Sequence, residues 1–334
     1  MPTTSSRQEV IDFCEGIGSD PLLVQGAGGN VSWKDGETLW VKASGMRIAD
    51  AGEREIFVPV DLRQLRSAMN AGNYSARPRV SFGSPLRPSI ETFMHALLPQ
   101  RFVVHLHAVE VLAHVVRKDW IDVISSLMQD LQQVVFVPYA KPGAGLAESI
   151  ALAVEGKPLS NIFLLQNHGI VVAGDTINHV SYLLKTTIGA LRSRTRPLSS
   201  HTFKAEVIRG YSPAADSRLH ALATDNQLLD LVRNAWALYP DHLVFLGREP
   251  LIVNSLDEIG RAVVAESRLA VLFVRGDGVY LPNCFGPNQI EQLVCYLEVL
   301  LRQEDGELSV LGLDQVEALL GWEAEKYRQS VPDG

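Results

Sequence analysis

Hydrophobic and polar positions follow two different periods along this chain. Val10, Ile11, Phe13, Cys14 and Ile17 recur at helical spacing after Ser5-Ser6, which predicts an amphipathic opening helix over residues 5–17. The period then shortens to two. Val31-Ser32-Trp33 and Thr38-Leu39-Trp40-Val41-Lys42 flank a polar turn, Lys34-Asp35-Gly36-Glu37, and predict a β-hairpin. Further strands are predicted at 102–106, 134–137, 161–165 and 170–173. Helices are predicted at 61–71, from Ser89, near 109–116, and at 145–154 and 177–192. The Gly-, Pro-, Ser- and Arg-rich stretch 72–88 reads as a loop. Strands joined through hairpins and covered by helices imply an α/β layered fold rather than a strict βαβ repeat.

A polar, proline-punctuated segment from Arg192 to Pro213 is the best boundary candidate. It divides the chain into expected units at 1–200 and 213–334. The second has a predicted helix at 227–238, strands at 243–246, 251–253, 270–274 and 278–281, and helices at 287–302 and 315–328. It carries no chemical constellation comparable to the first. The 334 residues are 46% hydrophobic and 20% charged, ordinary globular values that argue against long disorder. A net charge of −8 disfavours nucleic acid and anionic membrane as partners, while leaving room for a local basic pocket around a small anion. Three widely separated cysteines indicate no disulfide framework, and neither a signal peptide nor a membrane-spanning run is evident. A cytoplasmic protein is expected.

The informative chemistry lies in Val104-His105-Leu106-His107 and, about sixty residues later, Gln166-Asn167-His168-Gly169. Alternation along a strand at 102–106 puts His105 and His107 on one face, and His168 arrives from a separate turn. Apolar flanks make two polar rings there hard to explain without partners. Upstream, Ser89 is placed to cap a helix and Glu91 to project from its first turn. Three neutral imidazoles and one carboxylate suit Zn²⁺ or another divalent ion, and a carboxylate able to leave the metal opens a position for substrate. The other six histidines, His95 and His242 among them, take the default of surface or satisfied core residues.

Four motifs, in order, resemble the class II aldolase/adducin family across residues 8–192. Gly28-Gly29-Asn30-Val31-Ser32 and Lys42-Ala43-Ser44-Gly45 resemble its two substrate-phosphate turns. Ser89-Ile90-Glu91-Thr92 resembles the segment carrying its acid/base carboxylate, and His105-Leu106-His107-Ala108 with Asn167-His168-Gly169 resembles its metal ligands. The resemblance implies a layered fold with a mainly antiparallel central sheet, and the region from about 213 onward is similar to a C-terminal extension of longer members. It also implies a homo-oligomer, a tetramer with sites between subunits. Ile90 stands where simple aldolases have a phosphate-holding serine, and Ala108 where they have a proline.

The chemistry expected of these residues is metal-dependent carbon-carbon bond cleavage or formation in a sugar phosphate or sugar acid, through a stabilised enediolate. Epimerase, decarboxylase and dehydratase activities share that scaffold, and a non-catalytic adducin-like module is the alternative of another class. His105, His107, His168 and Glu91 are the expected ligands. Glu91 is also the expected proton carrier, with Tyr139, from a turn similar to one in the family, as a second. Gly29, Asn30, Lys42, Ser44, Gly45 and Ser89 are expected to anchor the anionic end of the substrate.

Overall fold

The computed structural model describes residues 4–129, 134–156, 160–198, 206–258, 270–303 and 306–323. The predicted hairpin forms as β1 (Asn30–Asp35) and β2 (Thr38–Lys42), with Asp35 opposite Thr38 across a tight turn at Gly36 and Glu37. These strands join β3 (Phe57–Asp61), β4 (Phe102–Leu106), β5 (Val134–Val137), β6 (Ile162–Leu165) and β7 (Gly169–Gly174) in one seven-stranded sheet, ordered β3-β2-β1-β4-β7-β6-β5. Only β5 and β6 run parallel. The expected mainly antiparallel layered α/β fold is therefore present.

Alternation sorts the sheet into two faces. Val104, Leu106, Ile170 and Val172 point to one, where α1 (Thr4–Gly18), α4 (Val109–Val115), α5 (Trp120–Leu127) and α7 (Ile177–Ala190) cover them. Val103, Val171, Phe163 and Val41 point to the other, under α2 (Leu62–Asn70), α3 (Thr92–Leu97) and α6 (Ala144–Val154). Each large apolar side chain buried this way contributes about 1.5–3 kcal/mol. Strand β4 sits at the centre, so residues at its C-terminal end are enclosed from both sides.

A four-stranded sheet follows, ordered β8-β11-β10-β9, from β8 (Tyr211–Pro213), β9 (Leu251–Val253), β10 (Leu272–Val274) and β11 (Gly278–Pro282). Around it lie α8 (Ala221–Thr224), α9 (Asn226–Asn234), α10 (Pro240–Leu246), α11 (Pro287–Leu301) and α12 (Leu313–Leu320). Leu222, Val232, Trp236, Phe273 and Tyr296 belong to the same apolar cluster as Val104 and Leu106, so the extension and the main sheet share a core.

Three expectations for this region change. Leu243–Leu246, expected as a strand, lies in helix α10: Pro240 presets the first turn, and all seven residues are buried, which erases the polar stripe that marks a helix. The helix expected to reach Leu238 ends at Asn234. Within the helix expected at 315–328, the described residues hold α12, which ends at Leu320, and residues 324–328 lie outside the described residues. Strand β3, helix α5 and strand β8 were not expected at all. No helix among the described residues is long and apolar enough to cross a membrane.

Candidate metal centre and active site

Register brings the first ligands together. Asn30, at the start of β1, pairs with His105 on β4, and on the other side His105 pairs with Val171 of β7. His105 faces the α3 side with Val103, and His107 follows just beyond the strand end. The turn between β6 and β7 delivers His168. Asn167 takes the left-handed conformation there (φ 51°), which asparagine tolerates better than most residues. Its side-chain amide donates to the carbonyls of Leu238 (2.7 Å) and Ser309 (2.6 Å), both in the extension. Gly169 completes the turn against the end of β4, where a Cβ would lie 2.3 Å from the Leu106 carbonyl oxygen.

The three imidazoles converge, with ligand atoms within 4.8 Å of one another. All three are buried. The Nδ1 of His105 lies 3.0 Å from the Ile170 carbonyl and donates to it, which leaves Nε2 as the open nitrogen. That Nε2 is 3.1 Å from Nε2 of His107. Glu91 spans the opening, with Oε2 3.6 Å from His105 Nε2 and Oε1 3.6 Å from His168 Nε2. Two ligands on one tetrahedral ion with bonds of about 2.0–2.1 Å lie roughly 3.3 Å apart, which these separations bracket. Glu91 Oε1 is buried and has no hydrogen-bond partner among the described residues. An unpaired buried carboxylate oxygen facing convergent imidazole nitrogens is the donor set a divalent cation requires.

Protonation states agree. Burial pushes His105 down, and takes His168 to about 3, so both rings are neutral and ligand-ready. For Glu91 burial pushes upward, but the facing imidazoles of His105 and His168 and the Asn30 amide outweigh it and hold the carboxylate ionised, at about 2.

Glu91 stands at the N-cap of α3 rather than inside its first turn, and Ser89 Oγ accepts from the Glu91 N–H at 3.2 Å. The Asn30 amide donates to Glu91 Oε2 (2.7 Å) and Ser89 Oγ (3.2 Å), while Asn30 Oδ1 meets His95 Nε2, whose Nδ1 contacts Ser32 Oγ at 2.7 Å. Asn30 Oδ1 can only accept, so His95 carries its hydrogen on Nε2 and takes one from Ser32. His95, assigned above to the default class, is thus part of the scaffold under Glu91. Its place four residues after Glu91, one turn along, was the available signal.

A cavity beside the histidines is lined by all six expected anion-binding residues: Gly29, Asn30, Lys42, Ser44, Gly45 and Ser89. Ile90, Glu91, His107, His168 and Asp241 line it as well. The Lys42 ammonium donates to the carbonyls of Ala27 (3.1 Å) and Met46, tying the two turns together. Tyr139 does not line the cavity. Its ring packs with Ala237, Leu243 and Leu319 of the extension, and burial raises its hydroxyl to about 12. Asp241, at the start of α10, was missed by sequence reasoning. It is 3% exposed, and its Oδ2 lies 3.2 Å from His107 Nδ1.

The chain matches an uncharacterized oxidoreductase, YuxG, of Bacillus subtilis (strain 168), at 26% identity over 286 residues, 71% of this chain and 41% of that protein. It therefore spans less than half the length of that curated relative. Among solved structures, the N-terminal class II aldolase domain of a conserved Thermoplasma acidophilum protein is 28% identical and covers 57% of this chain and 94% of its own, with a TM-score of 0.47. YgbL of Klebsiella pneumoniae, described as a putative aldolase/epimerase/decarboxylase, is 22% identical, covering 57% and 88%, with a TM-score of 0.42. The family model for the class II aldolase and adducin N-terminal domain matches residues 8–192, more than half of the chain, and the chain belongs to that family.

Proposed function

We propose that this protein is a metal-dependent lyase of the class II aldolase type, acting on a sugar phosphate or sugar acid, with zinc as its metal. The observation that carries the reading is the position of Glu91. Its carboxylate faces two imidazole nitrogens at 3.6 Å each, and it lines a cavity together with residues of two glycine-bearing turns. His105, His107 and His168 would hold the ion, with Glu91 as a ligand able to yield to substrate. A divalent ion bound there supplies Lewis-acid polarisation of carbonyl and hydroxyl oxygens.

The remaining roles belong to the chain. Glu91, ionised and buried, takes a proton from the substrate and returns it, and the amide of Asn30 keeps the carboxylate aimed at the cavity. Ser44, Ser89 and the backbone N–H groups of Gly29 and Gly45 anchor the anionic end of the substrate. Lys42 contributes its charge while bracing both turns. Tyr139 stands outside the cavity of its own chain, so the proton-carrying role is assigned to Glu91 alone. Family resemblance further suggests a homo-oligomer, and the three widely separated cysteines fit a reducing, cytoplasmic setting.

Elemental analysis with a substrate screen tests this. The purified protein should hold about one divalent ion per chain, and His105→Ala should lose most of it. The zinc-loaded protein should release an aldehyde from a ketose phosphate or an oxo-sugar acid. Fully active metal-free protein would refute the metal centre, and product that retains every carbon of the substrate would point to epimerase or dehydratase chemistry instead.

A further inference from the structure

We propose that Asp241, contributed by the C-terminal extension, positions the metal ligand His107 by accepting the hydrogen of its Nδ1 and so directing Nε2 to the ion. The inference rests on the metal-centre reading above and deepens it. His107 Nε2 is the nitrogen that faces His105 Nε2, at 3.1 Å, and its Nδ1 faces Asp241 Oδ2, at 3.2 Å. The two sides of the ring are thus divided between the ligand cluster and the carboxylate. At 3.2 Å the two atoms stand within hydrogen-bonding distance, with the ring not yet turned so that its N–H points at the oxygen.

A neutral imidazole can present either nitrogen, and the partner of one decides which is left for the metal. His105 solves this with the Ile170 carbonyl from the same sheet. His107 lies past the end of β4, beyond the reach of that ladder, and the carboxylate comes instead from α10, more than 130 positions later in the chain. A carboxylate in this role also makes the ring a stronger donor to the ion.

The surroundings are shaped for the contact. A Cβ on Gly28 would lie 2.9 Å from the Gln25 carbonyl oxygen and 3.0 Å from both Asp241 Oδ2 and His107 Nδ1, so a side chain there would crowd the pair. Asp241 is held at the first turn of α10, whose seven residues are all buried. The extension grips both neighbouring motifs as well. Glu291 of α11 accepts from the Gly26 N–H at 2.6 Å, and the Asn167 amide donates to Leu238 and Ser309. The extension is thereby part of the metal centre, not an appendage to it.

The experiment compares full-length wild type, Asp241→Asn and Gly28→Ala by competition of the zinc-loaded protein with a chelator and by the visible spectrum of the cobalt-loaded protein. Circular dichroism and thermal unfolding of the metal-free forms serve as controls. Asp241→Asn should weaken metal binding about 10–100-fold and shift the cobalt bands while the metal-free protein melts as wild type does. Gly28→Ala, whose methyl group would press on Asp241 Oδ2 and His107 Nδ1 as well as on the Gln25 carbonyl, should act in the same direction. Unchanged affinity and spectrum in a folded Asp241→Asn protein overturn the inference and leave the metal-centre reading intact, whereas wild type that binds no ion removes both. Ring nitrogen NMR of histidine-labelled, zinc-loaded wild type needs no variant: it should find the hydrogen of His107 on Nδ1, and a ligating Nδ1 would also overturn the inference.

Discussion

At the scale of single residues, Asn30 and Ser44 line one cavity but differ in what their side chains do. The amide of Asn30 is occupied by Glu91 and Ser89, and its carbonyl by His95, so its removal acts through the carboxylate. Asn30→Ala should therefore lower kcat, whereas Ser44→Ala should raise KM for an anionic substrate and leave kcat nearly unchanged, which steady-state kinetics on both variants would decide. Equal effects on KM alone would return Asn30 to the anion site. Glu91→Gln keeps the shape of the side chain but not its basicity. It should lose about 10²–10⁴-fold in kcat and remain folded, and near-wild-type turnover would move the proton carrier elsewhere. The histidines and Glu91 were legible because alternation and a helix start are local signals, although Glu91 itself, not Ser89, stands at the N-cap. His95 and Asp241 were not: their partners, Asn30 and His107, lie 65 and 134 positions away in sequence.

At the scale of elements, the same division holds between local pattern and distant contact. The hairpin, β4 and the β6-β7 pair were readable because each shows its period within a few residues. Helix α10 was misread as a strand because burial on all sides removed its amphipathic stripe, leaving Leu243-Val244-Phe245-Leu246 as a bare apolar run. Its neighbour α9, with an exposed face and the Asp225 side chain capping the N–H groups of Gln227 and Leu228, was recognised and misjudged only in length. The turn carrying His168 depends on Gly169 in a way that predicts a specific failure. A methyl group there would meet the Leu106 carbonyl oxygen, a backbone atom in the central strand that cannot swing aside. Gly169→Ala should destabilise the protein by about 1–3 kcal/mol and release the metal. A variant that melts like wild type with full metal content would show that the turn can shift without disturbing His168.

At the scale of the molecule, the extension and the main sheet share one apolar core, and the polar groups enclosed in it set the response to acid. His242 is 0% exposed, follows Asp241 directly, and is surrounded by the rings of Trp236, Tyr239 and Tyr296 at centroid distances of 4.4, 5.5 and 4.4 Å. Neither of its nitrogens has a hydrogen-bond partner among the described residues, and burial lowers its pKa to about 3. The unfolded chain binds a proton at this ring near pH 6.5, while the folded one resists it down to about 3, so the unfolded state holds more protons between those values. The ring's contribution is therefore fully present above pH 6.5 and is lost as the pH falls, by up to about 1.4 kcal/mol per pH unit. His95 is depressed in the same sense, so the fall should be steep in the wild type. His242→Phe places a ring of similar size in the aromatic surroundings with nothing to protonate. Urea unfolding of the two proteins at pH 7, 6 and 5 should show the variant gaining on the wild type by about 1 kcal/mol per unit below pH 6.5. Curves that stay parallel across that range would mean that His242 reaches solvent or finds a partner when protonated, and that the junction opens more easily than its packing implies.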